Sequence, residues 1–107
     1  MKFLVPLALV ATCLQGPARA AGDVAAGKTK AQACAACHGA SGLSAMPDAP
    51  SLAGQPAMYL TSQLVAFKSG ERRHEVMSLM AKTLSDDDIA NVAAWYASLK
   101  IELKPAD

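Results

Sequence analysis

The segment Cys34-Ala35-Ala36-Cys37-His38 constrains this chain of 107 residues more than any other feature of its sequence. Two cysteines three positions apart lie within one helical turn, so both thiols can form thioethers to the two vinyl groups of one haem. The next residue, His38, is then carried beneath the ring, where its imidazole can bind iron. Because C-x-x-C-H is the pattern of c-type haem attachment, we predict one covalent haem c, with Cys34 and Cys37 as its links and His38 as an iron ligand.

Three other uses of paired cysteines are less consistent with the sequence. A redox-active dithiol is expected beside a strand–helix–strand pattern, and the sequence shows none. A zinc site needs about four ligands, and beyond the two cysteines and His38 only the distant His74 is available. A structural disulfide is disfavoured because a two-residue spacing within a helix does not suit its geometry.

The first 20 residues have the pattern of a secretory signal peptide. The basic start at Lys2 is followed by an apolar run over residues 3–14 and by Ala18-Arg19-Ala20, an A-x-A cleavage signal. This run is too short for a membrane span. A lipid anchor at Cys13 is disfavoured, because Thr12 is an awkward residue in front of a lipidated cysteine. We therefore predict a signal peptide over residues 1–20, a single domain over residues 21–107 and a periplasmic protein with no membrane span.

The charge balance excludes a nucleic-acid partner. The whole chain has a formal net charge of +1, and removing Lys2 and Arg19 with the leader brings it to −1. So short a domain buries little of its own surface and commonly depends on a disulfide, a metal or another staple. We therefore expect the haem to be part of the core and the haem-free chain to be largely unfolded.

Helical periodicity recurs along the chain, and no strand pattern is present. Capping residues and apolar spacing predict three main helices over residues 23–37, 56–69 and 86–100, together with a short helix within residues 71–84. Asp23 and Ser85 are the expected N-caps, and Gly39 and Gly70 follow helix ends. The predicted fold class is all-α, with three main helices and a short one packed around a covalent haem.

The segment between Gly39 and Gln55 is rich in Gly, Ala, Ser and Pro and predicts a long irregular loop. Such a loop in a small domain is usually functional, and covering the histidine side of a haem would be such a function. A metal-binding histidine usually donates its second ring N–H to a carbonyl or carboxylate. The carbonyl of Pro50 is the candidate acceptor for His38, although an ordinary turn proline explains the same residue.

The second iron ligand is harder to assign from the residues. A thioether sulfur opposite histidine is the usual arrangement in electron carriers, which makes the methionines the candidates. Met46 follows His38 too closely, and Met58 lies in a helical pattern. Met77 and Met80 are three residues apart on one helical face, and periodicity does not choose between them.

Several motifs in order resemble the small bacterial class I cytochromes c, both the monohaem periplasmic kind and the single halves of dihaem members. These motifs are Gly27, the segment 34–39, Pro50-Ser-Leu-Ala-Gly-Gln55, Tyr59-Leu60 with Gln63-Leu64, Gly70-Glu-Arg72, and residues 77–86. The resemblance implies Met77 as the distal iron ligand, with Met80 as the fallback. It also implies the carbonyl role of Pro50 and positions for Tyr59 and Arg72 near the haem edge. One departure is Ala31, where the family often has an aromatic residue.

The resemblance implies a monomeric one-electron carrier that docks transiently with redox proteins of a respiratory chain, and not an enzyme. An exposed apolar rim near Leu43, Ala45 and Met46 is the expected contact surface, because the chain has almost no net charge. The alternative is a haem-based ligand sensor or haem enzyme subunit with a labile distal site. That alternative requires the sulfur ligand to be missing or easily displaced.

Overall fold

The computed structural model describes residues 21–106, and these residues form helices, turns and loops with no strand. The predicted all-α class is therefore what the described residues show, whereas the predicted signal peptide and Cys13 lie outside them. Across this part of the chain no helix is long and apolar enough to cross a bilayer. The elements in order are α1 (Val24–Lys30), a 3₁₀ turn (Ala31–Ala33), α2 (Ala35–His38), α3 (Ala57–Ser69), α4 (Met77–Lys82) and α5 (Asp86–Ser98).

The first helix begins where predicted but is not continuous. Asp23 caps α1 by accepting a hydrogen bond of 2.8 Å from the backbone N–H of Ala26. The prediction of one helix over residues 23–37 was wrong at residues 31–33. There the chain tightens into a 3₁₀ turn, and the N–H of Cys34 bonds to the carbonyl of Ala31 at 2.9 Å. The alanine-rich sequence gives no local signal for this break.

Helices α1 and α5 approach very closely at Gly27. A Cβ atom built on Gly27 would lie 1.9 Å from the carbonyl oxygen of Asn91 and 2.9 Å from the Cβ of Trp95. Nearby, the side-chain oxygen of Asn91 accepts from the N–H of Asp23 at 2.7 Å. The ammonium of Lys28 lies 5.4 Å from the centre of the Trp95 ring. Trp95 therefore packs on the first helix.

The apolar faces of α3 and α5 form the core. On α5 one stripe of residues is buried, and Leu99 packs against the cluster that it forms. The buried residues are Ile89, Val92, Ala93 and Tyr96. On α3, Leu60 and Phe67 are buried, and Leu64 packs against the core cluster that contains Leu60. Pro56 precedes α3 and Gly70 ends it in the left-handed region, at φ 85°. Ser85 is the N-cap of α5, as predicted, and it forms a capping box with Asp88 in which the two residues exchange hydrogen bonds of 3.0 Å.

The irregular loop over residues 39–55 is attached to the rest of the fold at defined points. The carbonyl of Gly42 accepts from the N–H groups of Leu52 and Ala53 at 2.8 and 3.0 Å. The N–H of Gly54 donates to the carbonyl of Tyr96 on α5 at 2.8 Å. These bonds fold the loop back on itself and fix its far end against the core, which places Pro50 on the His38 side of the molecule.

Candidate haem site

The imidazole of His38 is buried, and one of its ring nitrogens is engaged in a hydrogen bond. His38 ends α2, its side chain is only 7% exposed, and its Nδ1 lies 2.8 Å from the carbonyl oxygen of Pro50. A carbonyl oxygen can only accept, so Nδ1 carries the hydrogen, and in the neutral ring the lone pair is on Nε2. The two residues that the sequence analysis paired are thus in contact, and the free Nε2 is a metal-binding atom of fixed orientation.

The two cysteines lie on the same turn as this histidine. The carbonyl of Cys34 accepts from the N–H groups of Cys37 and His38 at 3.3 and 3.0 Å, which closes that turn. Both thiols are free and half-buried. The structure contains no disulfide between Cys34 and Cys37, and each sulfur is available to form a thioether.

Tyr96 of α5 contacts the first of these sulfurs, a neighbour that the sequence patterns did not reveal. Burial raises the pKa of the Cys34 thiol, and a hydrogen bond with the Tyr96 hydroxyl opposes this increase. Burial, together with Cys34, raises the pKa of Tyr96 to about 12. Both groups are uncharged at neutral pH, so the pair brings no charge to the attachment point. Only its place in the buried stripe of α5 marked Tyr96 as a core residue.

Ser44 and Ser51 tie the loop to the attachment turn. The hydroxyl of Ser44 donates to the carbonyl of Cys37 at 2.9 Å, and its backbone N–H donates to the hydroxyl of Ser51 at 2.9 Å. Gln55 in turn donates its amide to the carbonyl of Ser51 at 2.8 Å. This network holds the peptide that follows Pro50 and so supports the carbonyl that His38 uses. Sequence reasoning identified the loop but not these serine contacts.

The structure separates the four candidate methionines by burial. Met46 and Met58 are 42% and 87% exposed. Met77 is the first residue of α4, Met80 lies one turn later, and both are half-buried. Their helix packs on α3, and the following residue, Ala81, is fully buried. Burial therefore favours Met77 and Met80 as candidates for the second iron ligand, the same two that the residues alone indicated. The choice of Met77 over Met80 stays a prediction.

Tyr59 lies in the first turn of α3, and Arg72 follows the end of that helix. Tyr59 is 49% exposed. The guanidinium of Arg72 lies 4.6 Å from the centre of the Phe67 ring, and its Nη1 donates to the side-chain oxygen of Gln63 at 2.7 Å. Their assignment to a haem edge stays a prediction.

The sequence model of the cytochrome c family matches residues 24–100 of this chain. The matched range includes all five helices and the attachment turn. The chain belongs to the cytochrome c family.

Known proteins of this family are similar over most of the chain. Cytochrome c4 of Pseudomonas aeruginosa is 47% identical over 106 residues, which are 99% of this chain and 52% of that protein. Cytochrome c-554(548) of Halomonas halodenitrificans is 47% identical over 81 residues, 73% of this chain and 98% of that protein. The crystal structure of reduced cytochrome c4 from Pseudomonas stutzeri superposes with a TM-score of 0.73 at 40% identity, covering 81% of this chain and 50% of that one.

These matches confirm the class I cytochrome c fold and the likeness to one half of a dihaem cytochrome c. The chain spans about half the length of the cytochrome c4 proteins but nearly the full length of cytochrome c-554(548). The departure at Ala31 is accommodated by the same fold, since Ala31 is buried in a cluster with Val92 and Tyr96.

The donor set of this cytochrome c fits haem better than a bare metal ion. Within residues 21–106 there is no group of three His, Cys, Asp or Glu side chains arranged around one point. A metal held by protein ligands alone needs about four, whereas haem iron receives four nitrogens from the macrocycle and needs only axial ligands. One free Nε2, two free thiols on one turn and two half-buried thioethers match that requirement.

Proposed function

We propose that this cytochrome c is a periplasmic one-electron carrier with one covalent haem c, ligated by His38 and Met77. It passes electrons between redox proteins of a respiratory chain, docks transiently as a monomer and catalyses no reaction of its own. The leader pattern of residues 1–20 supports the periplasmic location.

The orientation of His38 is the observation that carries this proposal. A buried imidazole whose Nδ1–H donates to the carbonyl of Pro50 has a fixed orientation and leaves Nε2 as the atom that can bind a metal. The adjoining turn provides the two thiols in the spacing that thioether attachment needs. No other part of the described chain combines a buried imidazole with two cysteines.

Haem c supplies an iron that changes its charge by one. The residues of the chain keep that change reversible. Cys34 and Cys37 would hold the macrocycle covalently, and the bond to the Pro50 carbonyl would keep the tautomer of His38 constant. A thioether from Met77 would bind the iron as a second protein ligand and favour the ferrous state, which would leave the iron without a site open to a substrate.

An exposed apolar rim lies beside the attachment turn and suits brief docking. Leu43 is 54% exposed, Met46 is 42% exposed, and Ala45 between them is also exposed. Ser44 connects this rim to the carbonyl of Cys37. A small apolar contact with little net charge gives weak association, which rapid exchange of redox partners requires.

The test is the near-infrared sulfur-to-ferric-iron band of the purified holoprotein, compared among the wild type, Met77→Ala and Met80→Ala. We expect the wild type and Met80→Ala to show the band and Met77→Ala to lack it. A band lost only in Met80→Ala would move the ligand to Met80 and retain the carrier function.

A wild type without the band would contradict the proposal and favour the alternative of a ligand sensor or haem enzyme subunit. Carbon monoxide added to the reduced protein provides a second, independent measurement. A six-coordinate carrier changes its spectrum slowly and incompletely, whereas a protein with a labile distal site reacts rapidly and completely.

A further inference from the structure

His74 has a structural connection to α4 that neither the sequence motifs nor the proposed ligand set uses. Its Nδ1 accepts two backbone hydrogen bonds, from the N–H groups of Val76 and Met77, each at 3.2 Å. The first N–H groups of a helix have no partner within the helix, and an acceptor side chain at this position acts as an N-cap. The imidazole thus caps α4 in the way that an Asp or Ser side chain usually does.

Ser78 forms reciprocal hydrogen bonds with His74 across the same turn. The backbone N–H of His74 donates to the hydroxyl of Ser78 at 3.0 Å, and the backbone N–H of Ser78 donates to the carbonyl of His74 at 3.0 Å. This reciprocal pairing resembles a capping box and fixes residues 74–78 as one unit. Val76, which directly precedes the helix, makes no capping bond with its side chain.

The His74 ring is also attached to α3. It meets the ring of Phe67 edge to face, with the centroids 6.5 Å apart and the planes at 73°. Phe67 is buried, so it provides a fixed surface on the longer helix α3. His74 therefore joins the start of α4 to an element whose position is set by the core.

Helix α4 is short enough for this cap to matter. It has six residues, and its first turn contains no acidic side chain to interact with the helix dipole. Isolated helices of this length are unstable in water, so the position of α4 depends on packing and capping. Met77 is its first residue, the one most exposed to fraying at this end.

We propose that His74 is a positioning residue for Met77. By accepting the N–H of Met77 while resting on Phe67, it fixes where α4 begins and so holds the thioether of Met77 toward the iron. This inference rests on the proposed function, in which Met77 is the distal ligand. His74 itself does not bind the iron.

The test measures how readily Met77 leaves the ferric iron, using cyanide as the exogenous ligand. Cyanide binds only after the thioether departs, so its limiting rate reports that departure. We expect His74→Ala to raise this rate about fivefold, the ratio that the loss of one N-cap typically produces, with the near-infrared band still present. His74→Asn, which restores a capping acceptor, should return the rate to within about twofold of the wild type. Arg73→Ala, a change at the neighbouring exposed position, is the matched control and should leave the rate unchanged.

Three outcomes would overturn the inference. An unchanged rate in His74→Ala would show that the cap does not hold Met77, and a rate that His74→Asn fails to restore would show that the effect is not capping. A wild type that lacks the near-infrared band and loses its haem ligation in His74→Ala would make His74 a ligand.

Amide hydrogen exchange separates this inference from the proposed function. The N–H groups of Val76 and Met77 should exchange about fivefold faster in His74→Ala whichever methionine binds iron. Faster exchange in His74→Ala, combined with a band that survives Met77→Ala, would retain the cap and reject Met77 as the ligand. Unchanged exchange, combined with a band that depends on Met77, would reject the cap alone.

Discussion

The Nδ1–H of His38 donates a hydrogen bond of 2.8 Å to the carbonyl oxygen of Pro50, twelve residues further along the chain. This bond links the turn that carries both cysteines to the irregular loop that follows it. The loop is held in turn by Ser44 and Ser51 and is fixed to α5 through Gly54 and Tyr96. The orientation of one imidazole thus depends on a loop whose own position depends on the core.

Loosening the loop at Pro50 should weaken this bond. In Pro50→Gly the carbonyl remains, but the fixed φ of proline is lost and more backbone conformations become accessible. We expect the ring N–H of His38 to exchange with solvent about two- to fivefold faster, as measured by NMR of the ferrous holoprotein. Pro47→Gly is the matched control, because Pro47 is an exposed proline of the same loop. Equal exchange in the two variants would show that the Pro50 backbone does not control the His38 bond.

A side chain at Gly27 should force α1 and α5 apart. The added methyl group of Gly27→Ala would meet the backbone oxygen of Asn91 at 1.9 Å, and backbone cannot rotate away as a side chain can. Overpacking of this kind costs about 1–3 kcal/mol and sometimes more, so the midpoint of denaturant unfolding should fall clearly.

Gly70→Asn provides the comparison for Gly27→Ala. A Cβ atom at Gly70 has nothing within 4 Å, and asparagine tolerates the left-handed conformation that ends α3. We expect a loss of less than about 1 kcal/mol. A larger loss for Gly70→Asn than for Gly27→Ala would contradict the tight helix crossing.

The sequence predicted most helix boundaries because their signals are local. Asp23, Ser85 and Gly70 act within one turn of their own positions, and the structure places a cap or helix end at each. The placement of Cys34 and Cys37 on one turn depends only on helical spacing. The apolar stripes of α3 and α5 follow the same rule, so their inward residues could be read from periodicity.

Features that depend on contacts between distant segments could not be predicted in the same way. The 3₁₀ turn at residues 31–33 has no sequence signal, because alanine favours the α-helix and the break arises in the packed structure. The contact of Tyr96 with Cys34 joins residues far apart in the chain. The capping role of His74 could not be predicted either, since histidine is not one of the usual capping residues.

The capping box of α5 should make the stability of this helix depend on pH. The backbone N–H of Ser85, followed by the ammonium of Lys30 at 3.2 Å, holds the pKa of the Asp88 carboxyl below its usual range. A lowered pKa in the folded state means that the carboxylate contributes stability above about pH 4, and that this contribution is lost as pH falls through the lowered pKa. Asp88→Asn should therefore destabilise the protein at pH 7, and its difference from the wild type should shrink in acid.

Thermal unfolding at a series of pH values measures this difference. Asp87→Asn is the matched control, because Asp87 lies in the same first turn but outside the Ser85 pair. Ser85→Ala, which removes the other half of the box, should cost about 1 kcal/mol. A difference between Asp88→Asn and the wild type that stays constant from pH 7 into acid would contradict the assigned role of the carboxylate.

Removing both attachment cysteines should leave the chain largely unfolded, because its own core is small. Within residues 21–106, four of the buried apolar residues are alanines, and the largest fully buried side chain is that of Ile89. The alanines are Ala31, Ala53, Ala81 and Ala93. A short domain with so little buried apolar surface does not offset its loss of chain entropy without a further staple. We expect the double variant Cys34→Ala, Cys37→Ala to show weak helical circular dichroism and no cooperative melting. Cys34→Ala alone retains one link and should keep more helix when loaded with haem. Full native helicity in the double variant would show that the haem is not needed to complete the core.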